Sequence, residues 1–66
     1  MRIIVNANEL EVAEGTSLLS LLDRLGRSSR HVAVEHNGEI IDRSDFANIQ
    51  LQAEDRLEVV HFVGGG

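Results

Sequence analysis

Gly15-Thr16-Ser17-Leu18-Leu19-Ser20-Leu21-Leu22-Asp23-Arg24-Leu25-Gly26 is the stretch whose reading decides the fold. Leu18, Leu21, Leu22 and Leu25 fall at i, i+3, i+4 and i+7, the spacing of a helix with a single apolar stripe. Thr16 and Ser17 offer a hydroxyl cap ahead of the first turn, and Gly26 stops the helix. Arg24 and Arg27 lie near the negative end of its dipole. Burying the four leucines contributes ~1.5–3 kcal/mol apiece, a large share of what must offset chain entropy in so short a domain. A helix with one apolar stripe needs one apolar surface to cover it, and the flanking sequence supplies strands.

Upstream, Arg2-Ile3-Ile4-Val5-Asn6 and Glu9-Leu10-Glu11-Val12 both alternate around the turn-prone Asn6-Ala7-Asn8, which predicts an antiparallel hairpin. Met1, Ile3 and Val5 share one face; Arg2 and Ile4 share the other. Downstream, Val32-Ala33-Val34-Glu35-His36 and Glu39-Ile40-Ile41 flank Asn37-Gly38, a strong hairpin signal because a type I′ turn needs positive φ at both positions. Ser44-Asp45-Phe46-Ala47-Asn48 reads as a capped turn of helix with Phe46 as a core plug, and Gln52-Ala53-Glu54-Asp55 as a polar bend. Residues 57–63 form the last strand, the least polar one and therefore central. The order ββα-ββ-β predicts an α+β fold, a mixed five-stranded sheet with one helix packed across one face.

Parity then assigns the faces. If Leu57 and Val59 meet the helix, Glu58, Val60 and Phe62 point the other way. One helix cannot cover both sides of a sheet, so Ile4, Val60 and Phe62 are expected to form an exposed apolar patch of the kind that marks partner sites.

The chain has 66 residues, no cysteine, and a formal net charge of −5. A domain of this length buries only about 60% of its unfolded surface, and without cysteine it has neither disulfides nor thiolate metal sites to help. Its 42% hydrophobic and 26% charged residues are the composition of a folded globular domain. All six basic residues are arginines scattered from Arg2 to Arg56, which argues against nucleic acid as a partner. No stretch has a membrane span's length of apolar residues, and Met1-Arg2-Ile3-Ile4-Val5 runs straight into Asn6 rather than a signal sequence; the expected location is the cytoplasm. The expected state of the free chain is monomeric.

Catalytic constellations are scarce. His31 and His36 are five apart, on opposite faces of one strand, and His61 lies elsewhere, so metal ligation is not expected and surface histidines are. Glu9, Glu11, Glu35, Glu39 and Glu58 fall mainly at outward strand positions. There is no phosphate loop in the body, no lysine for Schiff-base chemistry and no nucleophile elbow. What stands out is the end of the chain, where His61-Phe62-Val63 gives way to Gly64-Gly65-Gly66. Glycine has no side chain to anchor it and the largest ordering entropy, so residues 64–66 are expected to be a flexible tail on a single domain of residues 1–63. A side-chain-free arm suits delivery of a terminal carboxylate into another enzyme's narrow active site. A carboxylate is a poor electrophile, and adenylation of Gly66 by a partner using ATP would give it a leaving group. Sulfur attack would then leave a thiocarboxylate.

Met1-Arg2-Ile3-Ile4-Val5, the strand order, Asn37-Gly38-Glu39-Ile40-Ile41, Asp55-Arg56-Leu57-Glu58-Val59-Val60 and the terminal glycines together resemble the ThiS family, the sulfur carriers of thiamine thiazole synthesis. The resemblance spans essentially the whole chain. It implies the ubiquitin-like β-grasp fold and a carrier rather than an enzyme, with Gly65 and Gly66 matching the family's diglycine. It further implies adenylation of Gly66 by a ThiF-type enzyme and sulfur passed from a cysteine desulfurase. The thiocarboxylate would then be presented to a ThiG-type thiazole synthase. No cofactor is implied beyond the covalent glycyl-adenylate and thiocarboxylate forms; ATP belongs to the partner. Gly64 and Gly65 would thread the partner active site, and Ile4, Val60 and Phe62 would dock against its surface. Two positions depart from the family pattern, Asp42 where relatives often have proline and Glu54 where they often have glycine. Carriers for molybdopterin, tRNA thiolation or cysteine synthesis share the same tail, as do ubiquitin-like modifiers, which would join Gly66 to target lysines. A non-covalent β-grasp interaction module would not need the tail at all.

Overall fold

The predicted helix forms over Leu18–Arg24 (α1), and its ends are closed as the flanking residues dictate. Ser17 Oγ accepts the Ser20 N–H at 3.1 Å, an N-cap bond. At the other end Gly26 takes φ +71°, the Gly26 N–H donates to Asp23 O at 3.0 Å and the Arg27 N–H to Leu22 O at 2.8 Å. That pair of bonds is a Schellman motif, which satisfies carbonyls the helix leaves open. Leu18, Leu21 and Leu22 are fully buried, while Leu25 is only partly so. The computed structural model describes residues 1–27 and 29–62.

Five strands form one sheet in the order β2-β1-β5-β3-β4. β1 (Arg2–Val5) and β2 (Asn8–Glu11) are an antiparallel hairpin in which Val5 pairs with Asn8. The turn is therefore two residues, Asn6-Ala7, not three, with φ of +50° and +69°. These are type I′ values, and they match the twist of the flanking strands. β3 (Val32–His36) and β4 (Glu39–Ile41) flank Asn37-Gly38 at φ +51° and +89°, the turn the dipeptide predicts. β5 (Arg56–His61) starts one residue earlier than predicted and ends at His61. It occupies the centre as expected, parallel to β1 and antiparallel to β3.

The connections supply the rest of the core. A short 3₁₀ turn, Ser29–His31, leads into β3, and a longer one, Arg43–Asn48, follows β4 and plugs the core with Phe46. The predicted capping by Ser44 or Asp45 does not occur. The turn starts at Asp42, whose side chain makes no capping bond, and the Asp45 N–H donates instead to the Asp42 carbonyl at 2.9 Å. Backbone bonds from Leu18 N–H to Ile49 O and from Leu51 N–H to Thr16 O, both 2.9 Å, tie the start of α1 to the chain after this turn. Leu51 and Val12 join Ile3, Val5, Val32, Val34, Leu57 and Val59 beneath α1 in one core.

Candidate functional site

β5 carries two kinds of residue in alternation, as parity requires. Leu57 and Val59 are buried under α1, whereas Val60 is 57% and Phe62 48% exposed on the open face of the sheet. Ile40, pairing at the level of Glu35, is more exposed still at 79%. Ile4 does not join them. Its parallel register sets it opposite Arg56, four residues along β5 from Val60, and its side chain is half-buried. Four residues of extended strand are about 13 Å. The apolar part of the open face is thus Ile40, Val60 and Phe62, with Ala33 paired to Val60 between them.

The start of β5 is fixed by Asp55, a nearly buried carboxylate in the preceding bend. Its Oδ2 lies 2.9 Å from His36 Nε2 and accepts the Gln52 N–H at 2.8 Å, while its Oδ1 accepts Asn37 Nδ2 at 3.1 Å. Asn37 Oδ1 accepts the Arg56 N–H at 2.9 Å, so the β3–β4 turn and the bend before β5 are one bonded unit. Burial alone would raise the Asp55 carboxyl, but bonds from His36, Gln52 and Asn37 outweigh it and hold the group below the ordinary carboxylate range. The other flank of β5 is held by Asn6, beyond the last paired residue of β1. Its side chain donates Nδ2 to Val59 O at 3.0 Å and accepts the Val59 N–H on Oδ1 at 2.7 Å. The amide stands in for one more residue of strand. Past Val59, among the described residues, β3 and the turn before it hold the strand: the Phe62 N–H donates to His31 O at 2.9 Å, and the two rings meet edge-on at 5.9 Å.

The model of the ThiS family matches residues 1–66, the whole chain. The chain belongs to the ThiS family. It is 33% identical over 63 residues to the sulfur carrier protein ThiS of Bacillus subtilis, covering 94% of this chain and 96% of that protein. It is also 39% identical over all 66 residues to a thiazole synthase of Paramagnetospirillum magneticum, of whose length it spans only 20%. The crystal structure of thiamine biosynthesis protein ThiS from Geobacter metallireducens superposes with a TM-score of 0.83 at 33% identity, covering 100% of both chains. The fold is thus the ubiquitin-like β-grasp of ThiS.

The two positions noted in the sequence as departures adopt backbone conformations that proline and glycine would accept. Asp42 sits at φ −67°, the value a proline ring would impose, and Glu54 at φ +70°, where glycine would be unstrained. Glu54 is held there by its neighbours: its N–H donates to Arg2 O at 2.7 Å, and its carboxylate takes Arg2 Nη2 at 2.6 Å and Nε at 3.1 Å. Bonding to Arg2 lowers the Glu54 carboxyl against a smaller opposing effect of desolvation.

His61 lies exposed on β5 as expected, but the other two histidines differ from the reading of their spacing. His31 lies in the 3₁₀ turn ahead of β3 rather than on the strand, and His36 is half-buried against Asp55 rather than a surface residue. Among the described residues no group of three or more His, Cys, Asp or Glu side chains converges to hold a metal, and no helix is long and apolar enough to cross a membrane. Gly64, Gly65 and Gly66, the residues expected to thread and react, lie outside the described residues, as does Val63. Sequence reasoning missed Ile40, although a signal for it existed. Val34 faces the core, its partner Ile41 must follow, and Ile40 is left on the open side.

Proposed function

We propose that this chain is a sulfur carrier of thiamine biosynthesis whose working group is the carboxylate of Gly66. A carboxylate oxygen attacks the α-phosphorus of ATP on a ThiF-type enzyme, pyrophosphate leaves, and an acyl-adenylate remains. A sulfur nucleophile derived from a cysteine desulfurase then attacks the acyl carbon and expels AMP. Delivered as a persulfide, that sulfur also requires a thiol to cleave the S–S bond and free the thiocarboxylate. Gly64 and Gly65 carry the terminus into each partner's active site, where side chains would clash, while Val60, Phe62 and Ile40 dock the body outside. The chain itself supplies no catalytic group; its part is to hold and aim. It works in the cytoplasm, where its partners and their ATP are found.

The observation that carries this reading is the match along nearly the whole chain, and nearly the whole length of the relative, to a protein named as a sulfur carrier. Thiazole synthase as the acceptor is supported by the relative in which a stretch similar to this entire chain is part of a longer thiazole synthase. Intact mass spectrometry of protein made alongside the sulfur machinery tests the reading, with replacement of one oxygen by sulfur at Gly66 as the expected result. Deleting Gly65 and Gly66 should abolish sulfur transfer and leave the melting temperature unchanged, since α1 and the five described strands all lie N-terminal to them. Transfer by the truncated chain, or sulfur passed only to a molybdopterin precursor, overturns it. So do heavier adducts on target lysines with no thiocarboxylate.

A further inference from the structure

The open face holds a cleft of about 110 Å³ lined by Ala33, Val34, Glu35, Ile40, Glu58 and Val60. Its floor is aliphatic and its wall is anionic. Glu35 and Glu58 are directly opposite each other in the β3–β5 ladder, and like charges so placed repel. Among the described residues neither carboxylate forms an ion pair, although Arg56 lines the adjoining depression with both. Arg56, two residues before Glu58 on the same face, makes no ion pair with it, and Arg2 is engaged with Glu9 and Glu54. Ile40 pairs with Glu35, so the carboxylates lie between two exposed aliphatic groups, Ile40 and Val60. An apolar face meant only for an apolar partner would not keep two facing carboxylates beside its aliphatic groups.

We propose that this cleft receives an arginine side chain from the protein that activates the terminus. An arginine meets both demands of the site: its aliphatic stem lies on Ala33, Ile40 and Val60, and its planar fork offers parallel N–H donors to two carboxylates at once. Bridging Glu35 and Glu58 turns their repulsion into attraction only when the partner is bound, and this couples recognition to the charge of the partner's surface. The inference rests on the carrier reading above and specifies the chemistry of its docking face.

The test is calorimetric titration of the full chain with the adenylating enzyme at low and at physiological salt. Glu35→Gln/Glu58→Gln should weaken binding about tenfold or more and flatten its salt dependence. The same variant should melt at or above the wild-type temperature, because a repulsion has been removed; a merely structural role would give the opposite sign. Glu14→Gln/Asp23→Asn makes the same change in net charge away from the cleft and should bind within about twofold of wild type. Wild-type affinity in the cleft variant, or equal losses in both variants, overturns the arginine site while leaving the carrier reading intact. A wild-type chain that does not bind the enzyme overturns the carrier reading itself.

Discussion

β5 starts amid a cluster of side-chain bonds and ends with half-exposed apolar residues. From Asp55 to Val59 it is held on both flanks, by β3 and the Asp55 unit on one side and by β1 and the Asn6 amide on the other. From Val60 onward, among the described residues, β3 and His31 hold it, and Val60 and Phe62, facing away from the helix, are about half exposed. The difference separates two tasks along one strand. Its first half sets register and direction for the domain; its second presents a surface and leads to the terminus. Substitutions in the first half should therefore cost stability, and those in the second should cost partner binding.

The largest stability loss should come from Leu57→Ala, about 2–5 kcal/mol, since a buried side chain under α1 is replaced by a cavity. Chemical denaturation measures it, and a loss below about 1 kcal/mol would show that β5 does not anchor the core. Asp55→Ala should follow at about 2–3 kcal/mol, because His36, Asn37 and the Gln52 N–H all lose their acceptor. The same carboxylate predicts a pH dependence. Its folded-state value is depressed, so its stabilisation is complete above the ordinary aspartate value of about 3.9 and disappears as pH falls through the lower folded value. Stability of Asp55→Asn followed down from neutral pH should decline less over that acid window than wild type; parallel curves would remove Asp55 from the account.

Asn6→Ala should cost about 1–2 kcal/mol by orphaning the N–H and carbonyl of Val59. Hydrogen exchange at the Val59 amide reads this directly, and unchanged protection there would mean that the amide surrogate is dispensable. Phe62→Asp should have the smallest effect on stability, within about 0.5 kcal/mol, because half of the ring is already in water. Its effect on affinity for the adenylating enzyme should be about tenfold or more. A large fall in melting temperature with unchanged affinity would erase the contrast between the two halves of β5.

The parts of this molecule that announce themselves in sequence are those governed by short periods. The leucine stripe of α1, the Asn37-Gly38 turn and the alternation of β5 each depend on neighbours within a few residues, and each forms as read. Ile4 shows where that kind of reading stops. Parity puts it on the open face, but only the parallel pairing of β1 with β5 decides that it lies beside Arg56 and not beside Val60. Asp55 and Asn6 were invisible for a related reason. A polar residue in a bend looks solvated until partners 18 or 53 residues away are known. Position 54 is an instructive mixture, since its left-handed conformation favours glycine and the chain uses glutamate there, restrained by Arg2.

The bonds around Asn37 also bear on how the protein ages. In a loose chain, an asparagine followed by glycine is prone to spontaneous deamidation, because the glycine amide nitrogen can attack the side-chain carbonyl and close a succinimide ring. Here the carboxamide is immobilised at both ends, its nitrogen on Asp55 and its oxygen on the Arg56 N–H, which keeps it from swinging into the attacking geometry. The unit that fixes the direction of β5 therefore also serves as a preservative, and loosening it would expose this tight turn to chemical decay.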